Sequence, residues 1–379
     1  MVVVDYSWAL ASIGLLVCIA LLLISKPLVT FKNPQNNNVA KGIGLFFILY
    51  IFNSIFSFWE WDTFHTWGDF IAAKKYGYGS DALLYYEPVY VWLGKFANYN
   101  YFLWRSLVWA PACLLIYFTG RRLNILNRNL LVSMALFLVF LYSTRNLLGL
   151  AMLLFGLVLF VDDNSHSKFW GLVLIVASYF FHRTMFITIV FAGLALFKQN
   201  RASIVGLLIT YPFAVVVSTL VIGNILSGDL TITAGGGGEN GNRIDNYASQ
   251  ERAVLTAYGV IRQVITCLPQ YLALAYVIKR IVFDKILEGD KQQKVWTYLM
   301  SFSFVCIYIA SCFYFTETSM WIFERFKYMG MIPLTFVLAK VWSVEPRSNI
   351  WVKSMIILQL LSLSYRWFMQ YYHWTSGVS

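Results

Sequence analysis

Charge is scarce in this chain: Asp, Glu, Lys and Arg make up 12% of its 379 residues, against roughly 25% in an ordinary soluble domain. That deficit excludes a water-soluble globular protein. Histidine is rarer still, with 4 residues, and neither His-x-x-x-His spacing nor an acidic cluster inside an apolar run marks a metal site. Cysteine occurs at Cys18, Cys113, Cys267, Cys306 and Cys312, always in apolar sequence and never as Cys-x-x-Cys, so these read as small core residues. No Gly-x-x-x-x-Gly-Lys-Ser/Thr loop is present to hold a nucleotide. The glycine run Gly235 to Gly238 lacks the lysine and the preceding strand that such a loop needs.

Hydrophobic residues are what the chain has most of, at 59% with mean hydropathy +0.64. The apolar runs are continuous rather than alternating, which argues for spanning helices and against a barrel. The expected fold is all-α, a polytopic transmembrane helical bundle of about 11–13 spans. Candidate spans are 7–25, 42–58, 101–120, 128–142, 147–161, 168–181, 184–198, 203–222, 256–280, 295–315, 322–341 and 350–369. One integral membrane domain covers 1–379. Two long outer segments interrupt it: an aromatic loop at 59–100 with interfacial and re-entrant helices, and a Gly-rich loop at 223–255.

The net charge of +11 is not a nucleic-acid footprint, because the cations gather in alternate connections. Lys26/Lys32/Lys41, Arg121/Arg122/Arg128, Lys198/Arg201, Lys279/Arg280/Lys285/Lys291/Lys294 and Lys340/Arg347/Lys353 mark the cytoplasmic side by the positive-inside rule. Asp5, with no basic residue, precedes the first apolar run, so that run reads as a true span rather than a cleaved signal. Both termini are then expected outside.

Two polar interruptions stand out, Ser143-Thr144-Arg145-Asn146 and Phe181-His182-Arg183-Thr184, each between apolar runs. An arginine in hydrocarbon costs several kcal/mol unless it faces water or a partner. Lys168 and Lys198 both fall on the basic side, which favours a short hairpin with its turn at His182-Arg183, lining an outer cavity with Arg145 at the rim. Snorkelling of both arginines to outer lipid phosphates is the competing reading.

Outer-half cations are mostly arginines: Arg105, Arg145, Arg183, Arg243, Arg252, Arg262, Arg325 and Arg366, beside Lys74, Lys75, Lys95 and Lys327. Guanidinium forks match phosphate oxygens bidentately and tolerate partial burial, so several around one cavity point to a ligand with more than one phosphate. Pairing with Glu317 or Glu324 is the alternative for Arg325. The 59–100 loop adds aromatics, Trp67 and Tyr86 among them, suited to stacking on sugar rings. Asp62, His65 and Asp69 share one face of a helix over 59–75, which fits either a solvated belt helix or a sugar-binding face. Glu87-Pro88 opens a short apolar helix with proline in its first turn, so Glu87 fits a capping role as well as a catalytic one. Together these features indicate a polyprenyl-pyrophosphate-linked saccharide handled on the outer face, with arginines as the electrostatic element. Candidate bases are His182, Glu87 and Asp69. Arg183 beside His182 disfavours the imidazolium; a hydrogen-bonded core histidine is the plainer reading.

The stretches Tyr86-Glu87-Pro88-Val89-Tyr90, Thr144-Arg145-Asn146-Leu147-Leu148-Gly149-Leu150-Ala151, Phe181-His182-Arg183-Thr184 and Glu324-Arg325-Phe326-Lys327-Tyr328, in this order, resemble the EpsG family of Wzy-type polysaccharide polymerases. The resemblance covers about residues 40 to 340; the family's Arg-Gln is Arg145-Asn146 here. It implies a GT-C-like, metal-independent glycosyltransferase of the bacterial inner membrane with no cofactor. Undecaprenyl-pyrophosphate-linked oligosaccharides would be donor and acceptor, and a chain-length regulator a further partner. From the residues themselves, His182 and Glu87 are the catalytic candidates, Arg145, Arg183, Arg262 and Arg325 the lipid-pyrophosphate ligands, and Trp67, Asp69 and Tyr86 the sugar contacts; the resemblance assigns no role to Asp62 or Asp69. A lipid-linked oligosaccharide flippase, an O-antigen ligase-type transferase and a membrane O-acyltransferase are the rival classes. The first would need cations in both halves of its spans, and the last a cytoplasmic histidine, for which only His166 is available.

Overall fold

The computed structural model describes Leu16 and residues 61–76, 87–125, 129–130, 133–134, 144–161, 164–182, 185–197, 200–226, 257–314, 320–344 and 348–376. Spans 7–25 and 42–58, most of 128–142, and nearly all of the 223–255 loop lie outside them. Among the described residues there are twelve α-helices and no strand. They are α1 (Trp61–Tyr76), α2 (Pro88–Phe96), α3 (Tyr101–Arg122), α4 (Thr144–Val161), α5 (Ser165–Phe181), α6 (Met185–Leu194), α7 (Arg201–Ile209), α8 (Tyr211–Leu226), α9 (Ala257–Ile278), α10 (Gln293–Tyr314), α11 (Met320–Val344) and α12 (Ser348–Ser376). A π-helical turn, Lys279–Phe283, closes α9.

Two helices among the described residues, Tyr101–Arg122 and Gln293–Cys312, are long and apolar enough to cross a membrane, and a broken pair makes a third. The protein is thus a helical membrane protein, although the described helices alone do not amount to eleven to thirteen spans. The broken pair corrects the single span expected at 203–222: Arg201–Ile209 and Tyr211–Ser218 meet at 55°. Pro212 is the cause, since it lacks an N–H and disfavours helical geometry at Tyr211. The span expected at 184–198 is also shorter, with α6 ending at Leu194.

Two helix hairpins dominate the packing, α4 on α5 and α10 on α11, with α3 laid against α4 and α12 against α9. In the first hairpin, a Cβ added to Gly171 would lie 2.6 Å from the Gly156 carbonyl oxygen and 2.6 Å from the Phe160 nitrogen. Small residues let helix backbones approach this closely in membranes, where lipid is as apolar as the side chains and packing does the work.

One end of the bundle collects the basic connections. Arg122 donates to Ser167 Oγ (3.0 Å) and its carbonyl accepts from Gln292 Nε2 (2.8 Å). Arg201 lies over the Phe283 ring at 4.6 Å, and Lys340 pairs with Asp290 at 2.8 Å. Connections assigned to one side by charge therefore meet in space. Burial pushes the Asp290 carboxyl up, but the Lys340 ammonium and the Gln292 N–H outweigh it and hold the group below its ordinary value. A depressed carboxyl stabilises above its unfolded pKa and loses that contribution as pH falls through the folded one. Asp290→Asn should therefore cost up to about 1 kcal/mol at neutral pH, with the difference from wild type shrinking as the pH falls through the lowered titration of the folded carboxyl; thermal melts at neutral and acid pH check it.

Candidate functional site

α5 rises from the basic end for 17 residues, about 25 Å at 1.5 Å per residue, and stops at His182. There the backbone turns extended, with φ −159° and ψ 122°, and α6 returns from Met185, whose N–H bonds to the His182 carbonyl at 2.9 Å. The polar interruption in the sequence is thus a hairpin tip.

The partner comes from 95 residues earlier. Glu87 precedes α2, whose first position is Pro88, yet its side chain makes no capping bond. Its Oε1 instead lies 2.8 Å from His182 Nδ1, and Glu87 is 5% exposed. An ionised carboxylate only accepts, so Nδ1 carries the shared proton and Nε2 remains as an acceptor. This is the arrangement in which a carboxylate orients a histidine base.

Aromatic packing holds the pair in place. Trp104 of α3 donates its indole N–H to the Tyr90 carbonyl at 3.2 Å, one turn beyond Glu87, and the two rings meet edge-on at 5.8 Å. Tyr90 also packs edge-on against Phe181, at 6.2 Å, immediately before His182. Below them α1 supplies Phe70, 5.0 Å from Trp104. The α2 to α3 link is tight, with Asn98 and Tyr99 both left-handed (φ 48° and 53°) and Asn100 Oδ1 capping α3 at the Leu103 N–H.

The other interruption reaches the same place through its glycine. A Cβ on Gly149 of α4 would meet His182 Cβ at 3.5 Å and Met185 Cγ at 3.1 Å. Thus three of the four stretches that carried the resemblance, those containing Glu87, Gly149 and His182, converge. The fourth packs on α6: Phe326 meets Phe191 edge-on at 5.1 Å, and Thr188 Oγ1 donates to Met329 Sδ at 2.9 Å.

Among the described residues, fully buried charge lies toward this end and comprises Glu87, Arg105 (1% exposed) and Lys327 (3%). Arg105 lies one turn into α3, and Lys327, seven residues into α11, reaches Cys267 Sγ at 3.6 Å and the Tyr328 ring at 5.4 Å. The sequence reading places both among the outer cations without singling them out. The signal was there, a cation within an apolar run, but the arginines in visible turns drew the assignment.

Arg145, Arg262 and Arg325 stand on α4, α9 and α11 respectively, with their side chains outside the described residues, as are Arg183 and Tyr86 entirely. Trp67 is half-buried against the core, and Asp69, also half-buried, stands two residues on in α1. Cys113, Cys267, Cys306 and Cys312 are buried free thiols, and no cluster of His, Cys, Asp or Glu suited to a metal occurs among the described residues.

No curated protein and no solved structure matches the chain. A family model does, over residues 43–377, which spans all four stretches and includes every residue of the site. That family is associated with polysaccharide polymerase-like proteins, so a membrane protein of polysaccharide biosynthesis is indicated. The chain, with its Glu87 and His182 brought together by α2 and α5, belongs to the EpsG family.

Proposed function

We propose that the protein is a glycosyltransferase that polymerises undecaprenyl-pyrophosphate-linked oligosaccharide repeat units on the outer face of the bacterial inner membrane. The observation that carries this reading is the buried contact of Glu87 Oε1 with His182 Nδ1 at 2.8 Å, at the end of the bundle opposite the basic connections. His182 Nε2 takes the proton of an acceptor sugar hydroxyl while that oxygen bonds to the anomeric carbon of the donor. The bond from that carbon to the diphosphate oxygen breaks, and the lipid diphosphate leaves with the electron pair. Glu87 accepts the Nδ1 hydrogen bond throughout and stabilises the imidazolium that forms. Arg145, Arg183, Arg262 and Arg325 hold the leaving diphosphate, so charge is stabilised by fixed guanidinium groups. Trp67, Asp69 and Tyr86 contact the sugars.

Among the described residues, the position of the buried charge toward one end, at Glu87, Arg105 and Lys327, favours a transferase over a flippase, which would need polar groups along the whole route. The test is the glycan ladder of a deletion strain expressing Arg145→Ala or Arg325→Ala. Loss of long chains with single repeats still exported is the expected result. Single repeats retained inside the cell would make the protein a flippase, and unaltered ladders in both variants would remove the arginines from the site.

A further inference from the structure

The amide of Asn146 has no role in the scheme above. Its Oδ1 is buried and has no hydrogen-bond partner among the described residues. A buried carbonyl left unpaired is destabilising, and buried polar groups are otherwise almost always satisfied. Asn146 stands three residues before Gly149 in α4, so both lie on one helix face. That face is the one turned to the hairpin tip, because the Cβ position of Gly149 points at His182 and Met185. The unpaired oxygen therefore sits one turn further along the face that meets the catalytic pair.

We infer that Asn146 Oδ1 accepts a hydrogen bond from a sugar hydroxyl of the lipid-linked repeat unit and so sets which sugar is held against His182. The chemistry separates sugar from phosphate. A carbonyl oxygen only accepts, and a diphosphate ester at neutral pH offers oxygens that also accept; a hydroxyl is the donor that the substrate brings. This assignment deepens the transferase reading and rests on it. It differs from the arginine roles in ligand group and in being uncharged.

The test is binding without turnover, by calorimetry on the full-length protein in detergent, with two probes. One is the lipid-linked repeat unit extracted from a strain lacking the polymerase, the other undecaprenyl diphosphate carrying no sugar. Asn146→Leu, close in shape but without polar atoms, should weaken the first about tenfold and leave the second unchanged. Its melting temperature should be equal to or above that of wild type, since an unpaired buried oxygen has been removed. Asn146→Ser should bind the repeat unit more tightly than Asn146→Ala, because the hydroxyl restores an acceptor, and this pair decides the matter if the leucine variant does not fold. Equal affinity of wild type and Asn146→Leu for the repeat unit would overturn the inference. So would an equal loss for both probes, which would mean that the amide serves the phosphate or the fold. Failure of the transferase reading looks different: wild type would then bind neither probe, or would bind both while its loss left single repeats inside the cell, the flippase outcome above.

Discussion

Glu87→Gln and His182→Ala should each lower the rate of repeat-unit transfer by on the order of 10²–10⁴-fold, with the double variant no worse than the weaker single one. The reason is the geometry: a carboxylate 5% exposed, 2.8 Å from Nδ1, acts only through the imidazole it orients. Glutamine can still accept from Nδ1, but a neutral amide does not stabilise the imidazolium, and its NH₂ group competes for the wrong tautomer. Groups that act as a unit show this non-additivity. The measurement is transfer between purified lipid-linked repeats, with the thermal stability of each variant recorded beside it. Losses that multiply in the double variant would show two independent roles and dissolve the pair. Full activity in His182→Ala would exclude it as the base.

Gly171→Ala should be among the most destabilising single-methyl additions in the described bundle, at about 1–3 kcal/mol. The added carbon meets backbone atoms, the Gly156 oxygen and the Phe160 nitrogen, both at 2.6 Å, and backbone cannot rotate out of the way. Helices α4 and α5 must part, and Gly149 and His182 part with them, so activity should fall together with stability. A loss of several degrees in melting temperature in detergent is expected. Gly193→Ala and Gly206→Ala are the controls, because a Cβ at either position meets nothing within 4 Å. There alanine should be neutral or add a few tenths of a kcal/mol through helix propensity. If Gly171→Ala melts with the controls, the close approach of the two helices is wrong.

The two polar interruptions were legible in the sequence because charge inside apolar runs is expensive wherever it falls. The hairpin followed from counting, since the run after Lys168 is too short to continue past His182 and still return its basic flank to the same side. Glu87 was visible too, but with two roles open. Local pattern does not tell a helix-capping carboxylate from one that leaves its helix to reach another, since both sit before a proline at the first position. The break at Thr210 was missed because hydropathy is indifferent to one proline in an apolar run.

By itself the sequence determined the class of the molecule, a helical membrane protein, through the energetic demand that a backbone in lipid satisfy its own hydrogen bonds. It also determined, through alternating basic connections, which loops share an end. Tertiary structure alone decided that Glu87 makes no side-chain cap and binds His182, that Gly149 lies against the hairpin tip, and that the Asn146 side-chain oxygen is buried without a hydrogen-bond partner among the described residues. Those outcomes depend on distances between residues 33 to 95 positions apart. Periodicity reports which face of a helix is apolar, whereas which neighbour that face meets is set by packing of the whole bundle.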